Sequence, residues 1–279
     1  MIKLKKLNGK KLVYSFVQGR FSEEVAGKFQ HFPISSWEKE FPAARKLNFD
    51  TIEWIVSDYS NPIFNRLFRE IINSKLKKNK LKISSISLDL IMDNPLHSLK
   101  KAEVQWLIVN LGKIIEFFKI KRISIPIEER SRFNNKLERN LSLKNLKFFY
   151  SSLKNKCKIC IETDISPLSL INILKIKKLK KLGILLDLGN TRAHGFSIKD
   201  YFNLYPEKIY SIHIKYRDKS YGTTKVVSKK GFYELEYLIK NINRLKNLED
   251  ISFQTYKSNK NYLNDMKKSI KNFNKYVQK

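Results

Sequence analysis

The sequence is poor in residues that make special chemistry or special shape: two cysteines, four histidines, seven prolines and nine glycines in 279 positions. Each scarcity excludes something. Cys157 and Cys160 fall three apart in an extended-looking run, KCKICIET. Side chains three apart on a strand point to opposite faces, so neither a disulfide nor a zinc knuckle is expected. Two buried thiols in a reducing cytoplasm is the reading. No Pro/Gly-rich linker and no low-complexity block divides the chain, so residues 1–279 read as one domain. No self-similarity of the solenoid kind is present. The basic start, MIKLKKLNGKKLVYSFVQG, has an apolar run only over 12–17, interrupted by Tyr14 and Ser15. That is too short for a signal peptide or a membrane span, and no other run approaches membrane length. A cytoplasmic protein without a membrane partner is expected.

Acidic residues are also scarce, 26 against 56 Lys and Arg, for a net charge of +30. Such a charge suggests a polyanion partner. Only eleven of the basic residues are arginine, however, whereas base reading favours Arg, whose rigid fork matches guanine. The lysines occur in every segment and read as solvated decoration. Nucleic acid is expected to bind only non-specifically, through charge, at low salt. Hydrophobic residues at 42% and aromatics at 12% suffice for a packed core.

Short β-branched runs alternate with longer amphipathic ones. Strands are predicted near 12–17, 51–56, 83–90, 121–127, 157–163, 183–187, 209–214 and 250–255. Helices are predicted over 35–48, 62–78, 97–119, 136–155, 166–178, 197–203, 232–246 and 259–277. SSWE at 35–38 reads as a capping box, with Pro42 kinking that helix or marking its true start. Ser166 reads as an N-cap with Pro167 at the first helical position, and Leu168, Ile171 and Leu174 as the apolar face. Eight β-then-α units in one chain of this length predict a single (β/α)8 TIM barrel, class α/β. A doubly wound sheet is the alternative, but no G-x-G-x-x-G follows the first strand.

In such a barrel the C-terminal strand ends face the active site. Those positions hold Glu53, Asp89, Glu128 or Glu129, Glu162 and Asp164, Asp187, His213 with Lys215 and Arg217, and Gln254. A Glu, an Asp and a His from three successive strands, Glu162, Asp187 and His213, can converge at the mouth. One imidazole among oxygen ligands suits one divalent metal ion, Mn²⁺, Mg²⁺, Co²⁺ or Zn²⁺. His213, Lys215 and Arg217 alternate and so share a face, and the two cations suit an anionic or polyhydroxy substrate. His194 is read as an exposed loop histidine at the rim and His97 as structural. YGTTK at 221–225 is either an oxygen- or phosphate-binding turn or an ordinary glycine turn.

GRFSE (19–23), HFPISSWEKEFPAARKLNFDTIEW (31–54), IETD (161–164), LDLGN (186–190) and HIKYRD (213–218), in that order, resemble the xylose isomerase-like TIM barrels. This sugar phosphate isomerase/epimerase superfamily includes ketose 3-epimerases, inosose dehydratase and endonuclease IV. The resemblance implies metal ligands at Glu162, Asp187 and His213. The fourth position, usually glutamate, is Gln254, which can ligate through its amide oxygen but cannot carry a proton. The family's two-glutamate epimerases use both carboxylates for proton transfer. Here Glu162 is retained as ligand and base, and the second acid is open among Glu53, Asp89 and Lys215.

The implied function is isomerisation or epimerisation of a small sugar or sugar phosphate through an enediolate, with a dehydratase-like lyase also compatible. Arg217, Glu53, Asp89, Arg20, His31 and Asn190 are the substrate-binding candidates, Arg20 and His31 because the matching family segments lie near the substrate. Two other readings stand beside it. One is a nucleic-acid-binding or endonuclease IV-like protein. Four histidines are few for three zincs, though, and where that enzyme has D-x-x-H this chain has Asp187, Leu188, Gly189 and Asn190. The other is a sugar-binding barrel without turnover, because of Gln254. Relatives are often oligomeric, so a homo-oligomer is compatible.

Overall fold

The β-branched runs do form strands: β1 (Val13–Val17), β2 (Thr51–Ile55), β3 (Lys82–Ser87), β4 (Arg122–Ile127), β5 (Lys158–Thr163), β6 (Gly183–Asp187), β7 (Ile209–Ile214) and β8 (Asp250–Phe253). All are parallel and close into one barrel, with β8 joining β7 to β1. The computed structural model describes residues 12–25, 27–258 and 260–278. Long helices cover the barrel, among them Arg66–Lys78, Lys101–Phe118, Lys136–Leu153 and Tyr262–Val277. This is the (β/α)8 barrel that the sequence predicts. No helix among the described residues is long and apolar enough to cross a membrane.

Local differences have local causes. The expected SSWE capping box does not form: Ser36 is the N-cap of helix Trp37–Lys46, and its side chain makes no capping bond. The backbone N–H groups of Ser36 and Trp37 are satisfied instead by Pro33 O, at 2.9 and 2.8 Å. Pro42 lies inside that helix and does not start it. Ser166 does cap helix Pro167–Leu174, accepting from Ser169 N at 3.3 Å. The buried face of that helix is Leu170, Ile173 and Leu174, with Leu168 72% exposed, so the expected apolar stripe is rotated. Helix Leu188–Ala193 and a hairpin pairing Tyr216–Arg217 with Thr224–Lys225 were not expected as elements. Thr224 of the YGTTK segment belongs to that hairpin. Both cysteines are free and buried, and burial pushes the Cys157 thiol up to about 12 and Cys160 up as well.

The barrel interior is unusually polar. Isoleucine and serine alternate along several strands, as in Ile123-Ser124-Ile125 and Ile251-Ser252-Phe253. Ser15, Ser85, Ser124, Ser211 and Ser252 are all fully buried. These small residues leave room for Arg122, 1% exposed. Its Nη2 pairs with Glu53 Oε2, and its Nη1 lies 2.5 Å from Asp250 Oδ1. Ser85 donates to Glu53 Oε2 at 2.9 Å, and Ser211 donates to Asp250. These buried charges are paired and hydrogen-bonded, which offsets the cost of taking them out of water.

The loop after β1 is pinned at both ends of its first turn. Glu40 accepts from the backbone N–H of Gly19 and Phe21 at 3.1 and 2.9 Å. Lys257 Nζ donates to the carbonyls of Gly19, Ser22 and Glu23 at 2.8, 2.9 and 3.1 Å. Gly19 has φ +86°, and a Cβ there would sit 3.0 Å from His31 O. The positive φ favours glycine here, and a side chain would also crowd the His31 carbonyl.

Burial pushes the Glu40 carboxyl up to about 7. The unfolded chain releases that proton near the ordinary value of about 4.3. Stability from this group is therefore greatest below about pH 4.3 and falls as pH rises through about 7, by at most about 1.4 kcal/mol per pH unit. Urea unfolding at pH 5 and pH 8 is expected to show a smaller loss in Glu40→Gln than in wild type. Equal losses would rule out this role.

Candidate metal centre

Asp187 and His213 are register partners on β6 and β7, and Glu162 lies on the neighbouring β5. One donor atom from each of Glu162, Asp187 and His213 lies within 4.8 Å of the other two, and all three residues are buried. Among the described residues this is the group of His, Cys, Asp and Glu side chains that could hold a metal ion. His213 is oriented from behind: its Nε2 lies 2.9 Å from Glu53 Oε1. That leaves Nδ1 facing forward, 3.3 Å from Glu162 Oε1 and 4.0 Å from Asp187 Oδ2. A second contact that fixes tautomer and ring orientation is what a ligating histidine needs.

Asp187 divides its two oxygens. Oδ1 caps helix Leu188–Ala193 by accepting from Asn190 N at 2.7 Å. Oδ2 makes no hydrogen bond. Gly189 lets this helix pack closely on the segment just past β7: a Cβ there would lie 2.8 Å from Lys215 Cγ.

Three buried atoms of this cluster make no hydrogen bond, Glu162 Oε1, Asp187 Oδ2 and His213 Nδ1, and Gln254 Oε1, in the wall of the cleft that Glu162 also lines, is a fourth. Buried polar groups without partners are costly and rare. These four are an imidazole nitrogen and three oxygens, the donor set of a divalent metal. Electrostatics favours a cation here too. Burial works against charge on His213, but Glu53 and Glu162 on either side outweigh it and hold its pKa well above the usual imidazole range. Burial likewise opposes ionisation of Glu53, and His213 and Arg122 overcome it, holding that carboxyl at about 2.

The amide of Gln254 is oriented through Gln30. Arg20 Nη2 can only donate, so Gln30 presents Oε1 to it, and Gln30 Nε2 donates to Asp89 Oδ2 at 2.5 Å. Gln254 Nε2 then donates to the same Gln30 Oε1 at 2.7 Å. The amide nitrogen is thereby committed, and Oε1 is the atom left free.

A cleft of about 480 Å³ lies against this cluster. Arg20, His31, Asp89, Glu162, Lys215, Arg217 and Gln254 all line it, as expected of active-site candidates at strand ends. Lys215 Nζ is 3.3 Å from Asp187 Oδ2, and that carboxylate keeps Lys215 charged against the burial that opposes it. Burial pushes Asp89 up to about 6. A larger groove of about 770 Å³ runs beside helix Lys136–Leu153 on a lysine-rich face and holds no acid, histidine or cysteine.

Three expectations need correction. Glu53 does not reach the cleft; it sits under His213 inside the barrel, because it lies mid-strand on β2 and not at its end. Asn190 is not in the cleft lining either. It is 4% exposed and spends its amide on Glu128 Oε2 and Arg217 Nη1, both at 2.8 Å. His194 is not an exposed loop residue: its side chain is 8% exposed, stacked on Phe196 and edge-on to Tyr221. His97 lies against Ser142, and Asp164 is tied to Arg132. Glu128 and Gln30, both in the cleft wall, were not singled out by the sequence as binding residues. Glu128 was legible as a strand-end carboxylate, whereas Gln30 sits in an irregular loop with no periodic signal.

No protein-family model and no curated protein matches the sequence. Solved structures do match in fold. A xylose isomerase domain protein from Alicyclobacillus acidocaldarius superposes with a TM-score of 0.72 at 10% identity, covering 96% of this chain and 99% of that one. This is the xylose isomerase-like barrel fold. A xylose isomerase-like TIM barrel protein from Mycobacterium smegmatis, in complex with magnesium, has a TM-score of 0.64 at 16% identity, with 96% and 95% covered. A D-psicose 3-epimerase from Clostridium cellulolyticum H10, with D-tagatose, has a TM-score of 0.64 at 12% identity and 96% of each chain covered.

Proposed function

We propose that this protein is a metal-dependent isomerase or epimerase of a sugar, a sugar phosphate or a related polyol. The observation that carries the reading is a set of four buried donor atoms that make no hydrogen bond, Glu162 Oε1, Asp187 Oδ2, His213 Nδ1 and Gln254 Oε1, the first three drawn together at ion-pair distances of 3.3–4.0 Å. These residues would hold one divalent ion, of the kind bound in the Mycobacterium smegmatis structure. When bound, the ion supplies Lewis-acid polarisation of a substrate carbonyl. Glu162, at the cleft wall, would take the proton from the carbon next to that carbonyl. The second proton carrier is narrowed to Asp89 and Lys215, since both line the cleft and Glu53 does not. Asp89 at about 6 is poised for exchange near neutral pH. Arg217 is steadied by Asn190 and would meet substrate oxygens.

The test is twofold. Metal analysis of the protein loaded with Mn²⁺ is expected to give one ion per chain, lost in Glu162→Ala. Solvent deuterium is expected to enter a ketose at the carbon beside the carbonyl. Full exchange activity in metal-stripped protein would sink the reading.

Gln254 favours a second reading, binding without turnover, because an amide cannot return a proton. Gln254→Glu separates the two. Added ligand charge is expected to tighten Mn²⁺ about tenfold. Without metal the variant is expected to melt lower than wild type, because a carboxylate would then face Gln30 Oε1. Deuterium exchange seen in wild type excludes the binding-only reading; exchange seen only in Gln254→Glu supports it.

A further inference from the structure

The cleft cations differ in how they are satisfied. Lys28 and Arg130 both pair with Asp93, at 3.1 and 3.0 Å. Arg217 lies 3.7 Å from Glu129, and Lys215 lies 3.3 Å from Asp187. Among the described residues, no carboxylate stands within ion-pairing distance of Arg20, although it is 2% exposed. Its Nη2 donates to Gln30 Oε1, a neutral acceptor, while Nε and Nη1 have no partner. The guanidinium is held 4.4 Å from the ring centre of Phe29. Burial lowers its pKa to about 10, which still leaves it charged at neutral pH.

This geometry belongs to a prepared receptor. The loop carrying Arg20, Phe29 and Gln30 is pinned by Glu40 and Lys257, neither of which lines the cleft. The cation is therefore positioned before any ligand arrives. A buried guanidinium with two unused nitrogens is costly unless something accepts from them, and an oxyanion does so with charge-assisted bonds. We propose that Arg20 is the receptor for an anionic group, a carboxylate or a phosphate, carried by the substrate of this cleft. The assignment rests on the cleft being the substrate site. It narrows the substrate class from sugars and polyols in general to those that carry an acidic group.

The experiment compares binding of fructose, fructose 6-phosphate and glucuronate to the full chain by calorimetry, with Mn²⁺ titrated separately. Wild type is expected to bind one anionic probe more tightly than fructose, and which one responds distinguishes phosphate from carboxylate. Arg20→Gln is expected to weaken that probe about tenfold to a hundredfold, the loss typical of hydrogen bonds to a charged group. The preference for that probe over fructose is expected to be lost in that variant, Mn²⁺ to be still taken up because Asp89 Oδ2 keeps the Gln30 amide in place, and Lys178→Gln, on the lysine-rich face, to bind like wild type. If Arg20→Gln does not fold, Arg20→Lys keeps the charge, loses the fork and is expected to weaken the same probe. Neither anionic probe binding more tightly than fructose would overturn the assignment, as would variants that bind it like wild type. Anion preference through Arg20 in a protein that takes up no Mn²⁺ would leave Arg20 as receptor and overturn the metal-dependent function instead.

Discussion

Arg122→Met is expected to lower the unfolding free energy by about 3–5 kcal/mol, the usual consequence of removing one partner from a buried ion pair. Arg122 is the cation that stands between Glu53 and Asp250 inside the barrel. Burial opposes its charge, but Asp250 and Glu53 outweigh this and raise its pKa further. Without the guanidinium, Glu53 retains only His213 as a positive neighbour, and Asp250 keeps only neutral hydrogen bonds such as that from Ser211. Either a carboxylate stays charged in an apolar interior or it takes up a proton; both cost stability. Urea unfolding at an unchanged m-value measures the loss. A change under about 1 kcal/mol would show that water or local rearrangement compensates. Replacing the whole set by apolar residues of similar volume is expected to recover much of the loss, because such swaps are often neutral.

His213→Ala is expected to abolish metal binding and proton exchange together. Losing a partner that merely supports a ligand typically costs about 10–100-fold in affinity. Loss of His213 is expected to exceed this, since it removes the nitrogen of the donor set and the contact that anchors Glu53 Oε1. Glu53→Gln tests the supporting role: it keeps the shape, frees the imidazole tautomer and is expected to fall within the 10–100-fold range, with a loss of stability as well because it also weakens the Arg122 pair. Calorimetric Mn²⁺ titration of both variants checks the order. Equal, small effects in the two would mean that His213 is structural.

The barrel is legible in the sequence because its signal is repeated eight times: β-branched runs, each followed by an amphipathic stretch. The candidate site is legible because Glu162, Asp187 and His213 sit where three successive runs end. What the sequence hides is height and partnership. Alternation tells that Glu53 points inward but not that it lies below the mouth, under His213. LDLGN marks where a strand ends, yet nothing in it tells that Asp187 Oδ1 caps a helix that starts with no intervening loop. Gln30 controls the Gln254 amide from a loop far away in sequence. The abundance of lysine also masks the one buried arginine that matters in the cleft, since net charge counts Arg20 no differently from a solvated side chain.

Anomalous diffraction from crystals grown with Mn²⁺ would locate the ion itself. A single strong peak is expected between Glu162, Asp187, His213 Nδ1 and the amide oxygen of Gln254, at roughly 2.0–2.3 Å from its ligands. A strong peak elsewhere with that position empty, or a histidine turned so that Nε2 no longer meets Glu53, would contradict it.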